Sequence, residues 1–291
     1  MSTMSGNDIV VGVDGSPASL HAALWAARTA TRHGQDVTLL SAVDDSDVRP
    51  SRRGEELVSR TAHARDVLRT TTAHLDHVYP GHPPLHSEIA PGDLAAAVRD
   101  RVGAAPMVVV GRNVQHIERS TLGATATRLA LAGRGVTVVV PAIAITDTPH
   151  HVVLALSDED HQDDLVRYAV EEARLAGCPL RVVYAVQTPA LVHALYEDWG
   201  AGEPWKSVAS SRISSMVTPV AARAGVHTFL YVAEGPVADK VLSQVSTKDV
   251  LVVGGRHHHP ATARALGSVA DRLLRRSPGT VIVVHPSRRD R

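Results

Sequence analysis

The sequence of 291 residues predicts an α/β protein of two tandem units. Each unit is expected to be a five-stranded parallel sheet with helices on both faces. Three observations carry this prediction. The chain repeats itself at a spacing near 143 residues. Within each repeat, short continuous apolar runs alternate with longer segments of helical periodicity. Cap and turn residues fall at the joints of that alternation.

The repeat rests on four pairs of segments. IAPGDLAAAVRD (89–100) is echoed by VAEGPVADKVLS (232–243), and MVVVGR (107–112) by VLVVGGR (250–256). TLGATATRLA (121–130) is echoed by ALGSVADRLL (265–274), and GVTVVVP (135–141) by GTVIVVHP (279–286). The offset is 232 − 89 = 143 for the first pair and 265 − 121 = 144 for the third. One unit is therefore expected over residues 1–146 and the other over 150–291, joined by the short connector AIAITDTPHH (142–151).

In the first unit DIVVGV (8–13) is a near-continuous apolar run, the mark of a strand covered on both faces. SPASLHAALWAARTATRHG (16–34) follows as a helix. Ser16 suits its cap, Pro17 its first turn and Gly34 its end, and Leu20, Leu24 and Ala27 recur at helical spacing. VTLLSAV (37–43) is the second strand, 54–78 a helix and LHSEIA (85–90) the third strand. Asp93 caps the helix LAAAVRDRVG (94–103), MVVVG (107–111) is the fourth strand, 120–132 the last helix and VTVVV (136–140) the fifth strand. Open parallel sheets bind ligands outside the carboxyl ends of their strands. That rule points to Asp14, Ala42 and Gly111 in the first unit, and to Ser157, Ala185 and Gly254 in the second.

Composition narrows the function. Lys+Arg and Asp+Glu are equal at 30 each, so no net field draws nucleic acid or an anionic membrane. Aromatic residues are 3%, too few for a base-stacking platform. Neither nucleic acid nor membrane is expected as a partner. The single cysteine, Cys178, excludes a disulfide within the chain and a multi-cysteine zinc site. Its place in AGCPL, between a helix and a strand, reads as that of a small buried hydrophobe. No apolar run approaches the roughly 20 residues that span a bilayer. The start, MSTMSGNDIV, lacks the basic and apolar regions of a secretory signal. A cytoplasmic location is expected.

Signatures of common enzymes do not occur. There is no Gly-x4-Gly-Lys-Ser/Thr loop, no Gly-x-Gly-x-x-Gly fingerprint after a strand and no His-Glu-x-x-His. GVDGS has Asp14, not a serine, where a nucleophile elbow needs its nucleophile. His257, His258 and His259 are adjacent, and neighbouring loop residues do not converge on one ion, so no metal is expected there. The pairs His74/His77 and His82/His86 are discounted in the same way. YEDWGAGEPWKS (196–207), with Trp199 and Trp205, is expected to cover the core from a long excursion between the second and third strands of its unit.

Taken together, the motifs resemble those of the universal stress protein family in its tandem form. VVGVDGSPAS (10–19) is similar to the family's first strand and turn. Both fourth strands end in a glycine loop, VVVGRN and VVGGRH, and an LGA or LGS step precedes each last helix. The resemblance covers nearly the whole chain, twice. It implies a stress-associated sensor or regulator without catalytic activity, two units that face each other through their last strands VTVVV (136–140) and TVIVV (280–284), a homodimer of the tandem chain, and protein partners. In the members that bind ATP, the loop reads Gly-x2-Gly-x9-Gly-Ser/Thr. Its N–H groups and the following helix N-terminus face the phosphates. An aspartate ending the first strand contacts the adenosine, and residues after the second strand line the base pocket. Carried onto this chain, those roles fall on Gly12, Asp14, Ala42, Gly111, Gly123, Ala124 and Thr125 in the first unit. In the second they fall on Gly254, Gly267 and Ser268.

Each half departs from the pattern in its own way. The second loop keeps Gly254, Gly267 and Ser268 at the right spacing but has His257 as its second glycine. Leu156 stands where an adenosine-contacting aspartate is expected. The first unit has Asp14 and Gly111, but Val114 replaces the second glycine, one residue is missing before Gly123, and Ala124 replaces the hydroxyl residue, with Thr125 adjacent. Glu118 adds a negative charge to a phosphate cradle. The expectation is a weak ATP site that favours the first unit. The competing readings are a nucleotide-independent scaffold and, more remotely, a slow ATPase.

Overall fold

A computed structural model describes residues 8–44, 46, 53–101, 107–113, 135–142, 148–157, 162–186, 204–255 and 268–285. The first repeat runs β1 (Ile9–Gly12), α1 (Pro17–His33), β2 (Val37–Val43), α2 (Arg53–Val78), β3 (Leu85–Pro91), α3 (Leu94–Arg101), β4 (Met107–Arg112) and β5 (Val136–Pro141). The second runs β6 (Val152–Leu156), α4 (Gln162–Ala176), β7 (Leu180–Val186), α5 (Pro204–Ala224), β8 (Thr228–Glu234), α6 (Val237–Leu242), β9 (Val250–Gly254), α7 (Ser268–Arg276) and β10 (Thr280–Val284). The helix expected over 120–132 lies outside the described residues.

The chain divides into two compact units, one of Met1–Asp147, Gly255–Ala265 and Ile282–Arg291 and the other of Thr148–Gly254 and Leu266–Val281. The strand order in the first repeat is β3-β2-β1-β4-β5, and the second repeat has the same order as β8-β7-β6-β9-β10. The pairs β1–β2, β1–β4, β2–β3 and β4–β5 are parallel, as are β6–β7, β6–β9 and β7–β8. This order explains the apolar runs. β1 and β4 lie inside the sheet with helices over them, so both of their faces are buried and IVVG and MVVV need no polar alternation. Fully burying a Val, Leu or Ile side chain is worth about 1.5–3 kcal/mol, and Ile9, Val10, Val11, Val108, Val109 and Val110 each contribute on that scale.

The order also fixes where a ligand goes. From β1 the chain winds outward through β2 to β3, then returns to the other side of β1 as β4. The carboxyl ends of β1 and β4 therefore flank the point where the winding reverses, the place where open sheets of this kind receive their ligands. β6 and β9 are the corresponding strands of the second unit.

α1 is set by its caps. The Ser16 side chain accepts a hydrogen bond from the Ser19 N–H at 3.2 Å, Pro17 opens the first turn, and Gly34 closes the helix in the left-handed region at φ 65°. Its buried face is mostly alanine, with Ala18, Ala22, Ala23, Ala26, Ala27 and Ala30 all in the core beside Trp25. The expected leucine stripe is only half right, because Leu20 and Leu24 are half-buried flanks. An alanine face lets the helix axis lie close to the sheet, and that closeness shapes the site. At α3, Asp93 caps as expected, accepting from the Ala96 N–H at 2.9 Å.

Candidate site at the strand ends

After Gly12 the first strand leaves the sheet. Val13 makes the last ladder bond, N–H to the Leu40 carbonyl at 2.9 Å, and the chain turns through Gly15 at φ 80° into α1. Asp14 sits on that turn, exposed at the reversal point. One of its carboxylate oxygens accepts from the Ser16 N–H at 3.0 Å, and its own N–H donates to the Ser19 Oγ at 3.4 Å. Asp14 thus fills the ordinary role of aspartate in a turn. Partial burial favours its protonated form, but hydrogen bonds from Ser16 and Ser19 oppose this and prevail. The carboxyl is held below its ordinary value and is anionic at neutral pH.

Ala42 faces the same gap through its backbone. The Val37 N–H donates to the Pro84 carbonyl and the Val43 carbonyl accepts from the Gly92 N–H, so odd-numbered residues of β2 point their peptide groups to the β3 side. The Leu40 carbonyl accepts from Val13, so even-numbered residues point to the β1 side. β1 pairs with β2 only as far as Gly12 and Leu40. Ala42 therefore turns its N–H and C=O towards the space that the chain vacates at Asp14. The residue is half-buried, open at one side.

The glycines have structural work of their own. A Cβ on Gly12 would meet Leu94 Cδ2 at 3.0 Å, beneath α3. A Cβ on Gly111 would fall 2.3 Å from the Ala18 carbonyl oxygen, so this residue is glycine because α1 lies against the end of β4. Arg112, next in the chain, is buried, and burial lowers its guanidinium pKa to about 10. Sequence reasoning missed Arg112, although a charged residue that closes an otherwise apolar strand run was the available signal. Gly123, Ala124 and Thr125 lie outside the described residues.

The second unit requires a correction. Ile9 pairs with Val37 and Met107, while Val152 pairs with Leu180 and Val250. Each correspondence is an offset of 143, as in 152 − 9 and 250 − 107. On that register Leu156 matches Val13, and Ser157 matches Asp14. Burial agrees: Val13 and Leu156 are in the core, whereas Asp14 and Ser157 are exposed. The expectation that Leu156 takes the aspartate's place was one residue off. Side chains alternate between faces, so a slip of one exchanges a core position for an exposed one. Ser157 is held by Gln162, whose side-chain amide donates to its Oγ at 3.2 Å.

The rest of the second site is laid out like the first, with different occupancy. Gly254 is exposed, and a Cβ there would make only ordinary contact with Leu165 Cδ2 at 3.5 Å. Ser268 is the exposed first residue of α7. Ala185, the counterpart of Ala42, is buried, so its peptide edge is less open. Gly267 and His257, His258 and His259 lie outside the described residues.

Other expectations fall as follows. His74 and His77 lie on α2. His82 is engaged by Asp76 and the Pro83 carbonyl, and His86 by Asp36. Among the described residues no three His, Cys, Asp or Glu side chains are grouped to hold a metal ion. Cys178 is half-buried rather than in the core, because it sits in the turn between α4 and β7. Trp205 is half-buried on α5, and Trp199 lies outside the described residues. No helix among the described residues is long and apolar enough to cross a membrane.

Comparison with known proteins bears on this arrangement. The sequence model of the Universal stress protein family matches residues 7–141 and again 149–285. A universal stress protein of Mycobacterium tuberculosis (strain CDC 1551 / Oshkosh) is 31% identical over 187 residues. That match covers 62% of this chain and 66% of the relative, just under two thirds of its length. A universal stress protein of Mycolicibacterium smegmatis is 26% identical over 289 residues, covering 96% of this chain and 97% of that one. The crystal structure of a universal stress protein from Archaeoglobus fulgidus matches 98% of this chain and all of its own, with a TM-score of 0.66 at 13% identity, a likeness of fold alone. With both repeats matched over nearly their whole length, the chain belongs to the universal stress protein family and carries its domain twice.

Proposed function

We propose that this chain is a stress-associated regulatory protein that binds an adenine nucleotide, ATP, weakly at the strand ends of its first unit and does not turn it over. The observation that carries the reading is the shared gap between Asp14 and Ala42. The carboxylate is an acceptor suited to ribose hydroxyls. The N–H and C=O of Ala42 form a donor–acceptor pair of the kind that the edge of adenine requires. Phosphates are assigned to the segment beyond Gly111, with Gly123, Ala124 and Thr125 as its contacts. Hydrogen bonds from Ser16 and Ser19 hold the Asp14 carboxyl below its ordinary value, so it stays an anionic acceptor at neutral pH, and this supports a binding role. We also read the protein as cytoplasmic and homodimeric, with further protein partners.

One observation favours the scaffold reading. Gly111 is accounted for by the Ala18 carbonyl, so its presence does not need a ligand. Mass spectrometry of nucleotide released from purified protein, with calorimetry against ATP, separates the two. Adenine nucleotide in the released fraction and saturable heat support the binding role. Neither, with an unchanged melting temperature at millimolar ATP, supports the scaffold.

A further inference from the structure

β8 is the last strand in the order of the second repeat, and among the described residues no strand pairs with its outer side. Thr228, Phe229 and Leu230 are exposed, Phe229 by 56%. Exposed edge strands are ordinarily blunted by charge, proline or a bulge. β3, the matching edge of the first unit, has His86 and Glu88 within it and Pro91 at its end. β8 reads TFLYVAE, with no charged residue before Glu234. Its backbone phase follows from two bonds. The His227 carbonyl accepts from the Leu180 N–H at 2.8 Å, and the Gly235 N–H donates to the Val186 carbonyl at 2.9 Å. Odd-numbered residues thus spend their peptide groups on β7. Thr228, Leu230 and Val232 turn theirs outward.

We propose that β8 pairs antiparallel with β8 of a second copy of this chain, about a two-fold axis at Leu230. The proposal rests on the homodimer reading above and names its surface. A strand that pairs with its own copy about a two-fold axis must centre on one residue, because hydrogen-bonded and non-hydrogen-bonded pairs alternate. Here the centre must be a residue whose peptide groups face outward. With Leu230 at the centre, it bonds the partner's Leu230, and Thr228 bonds Val232 of the partner subunit. Phe229 then meets the partner subunit's Tyr231 in the close, non-hydrogen-bonded position, forming a cross-strand aromatic pair on each side of the axis. Phe229 is already steadied by an edge contact to the His151 ring, with centroids 6.4 Å apart. Glu234, the strand's only carboxylate, faces Val226 of the partner subunit, so the two copies of that charge lie at opposite ends. Centring on Val232 instead would set Leu230 against the partner's Glu234. Centring on Thr228 would leave Val232 without a strand residue opposite. A two-fold contact of this kind closes on itself and does not propagate into a fibre.

Sedimentation velocity on the full chain tests this, with Leu230→Pro and Phe229→Lys beside the wild type. Proline removes an outward donor and leaves the β7 ladder intact, and lysine puts a charge into the aromatic pair. The wild type is expected to be a dimer at micromolar concentration. Both variants are expected to dissociate at least tenfold more readily while retaining their circular-dichroism melting transition. Leu230→Cys in a Cys178→Ser background is expected to oxidise to a covalent dimer, since facing hydrogen-bonded positions lie about 5.5 Å apart, within disulfide range. A monomeric wild type overturns both the homodimer reading and this pairing. A dimer that persists in both variants, with no cross-link through position 230, overturns the pairing alone.

Discussion

The carbonyl oxygen of Ala18 lies 2.3 Å from where an alanine at Gly111 would place its Cβ. The alanine face of α1 and the glycine near the end of β4 are therefore one packing solution. At the matching position, Gly254, the nearest atom to a Cβ is Leu165 Cδ2 at 3.5 Å. Gly111→Ala is expected to lower stability by about 1–3 kcal/mol, the usual cost of overpacking. Gly254→Ala is expected to stay within about 0.5 kcal/mol of the wild type. Urea denaturation of both variants checks this, and equal losses would show that α1 does not constrain β4.

The Ser16 cap makes a second prediction. Its side chain satisfies the Ser19 N–H, one of the donors that a helix start leaves unpaired. Ser16→Ala is expected to cost about 1 kcal/mol, and Ser16→Gly only a few tenths. Denaturant midpoints measure both, and an alanine variant as stable as the wild type would remove the cap from the reasons that α1 begins here.

His82 gives a prediction in pH. Its Nδ1 is 2.8 Å from the Pro83 carbonyl oxygen and its Nε2 is 2.8 Å from an Asp76 carboxylate oxygen. Only the imidazolium donates to both. Burial disfavours that charge, but the Pro83 and Asp76 bonds outweigh it, and the pKa is raised above 6.5. A raised folded value means that the linked stability is full below the unfolded pKa and is lost as pH rises through the folded one. NMR titration should place His82 above the ordinary histidine value, and Asp76→Asn should bring it down. A wild-type value at or below the ordinary one would refute the doubly donating ring.

Much of this was legible in the sequence, for identifiable reasons. Apolar runs and helical periodicity located the described strands and helices of the first unit, and Ser16, Gly34 and Asp93 marked helix ends through chemistry local to each. The exchange of Leu156 for Ser157 was not legible. LAL and VGV are apolar throughout and offer no landmark to fix register, which appears only when the strand is seen against its neighbours. The reason for Gly111 is likewise tertiary, because Ala18 is 93 positions away, 111 − 18. Arg112 is buried although the apolar run ends before it, and that burial depends on what packs over the strand end. The place of Cys178 between a helix and a strand was legible, but its half-exposure depends on how much of that turn the rest of the fold covers.

The placement of the nucleotide is tested most directly by calorimetry with ATP on the wild type, Asp14→Ala and Gly254→Val. A hydrogen bond to a charged group is worth about 1.5–3 kcal/mol, so Asp14→Ala should weaken binding by roughly 10- to 100-fold. Gly254→Val, at an exposed position with room for a side chain, should leave the affinity unchanged. If Asp14→Ala binds ATP like the wild type while Gly254→Val has lost it, the nucleotide belongs to the second unit and the assignment made here is contradicted.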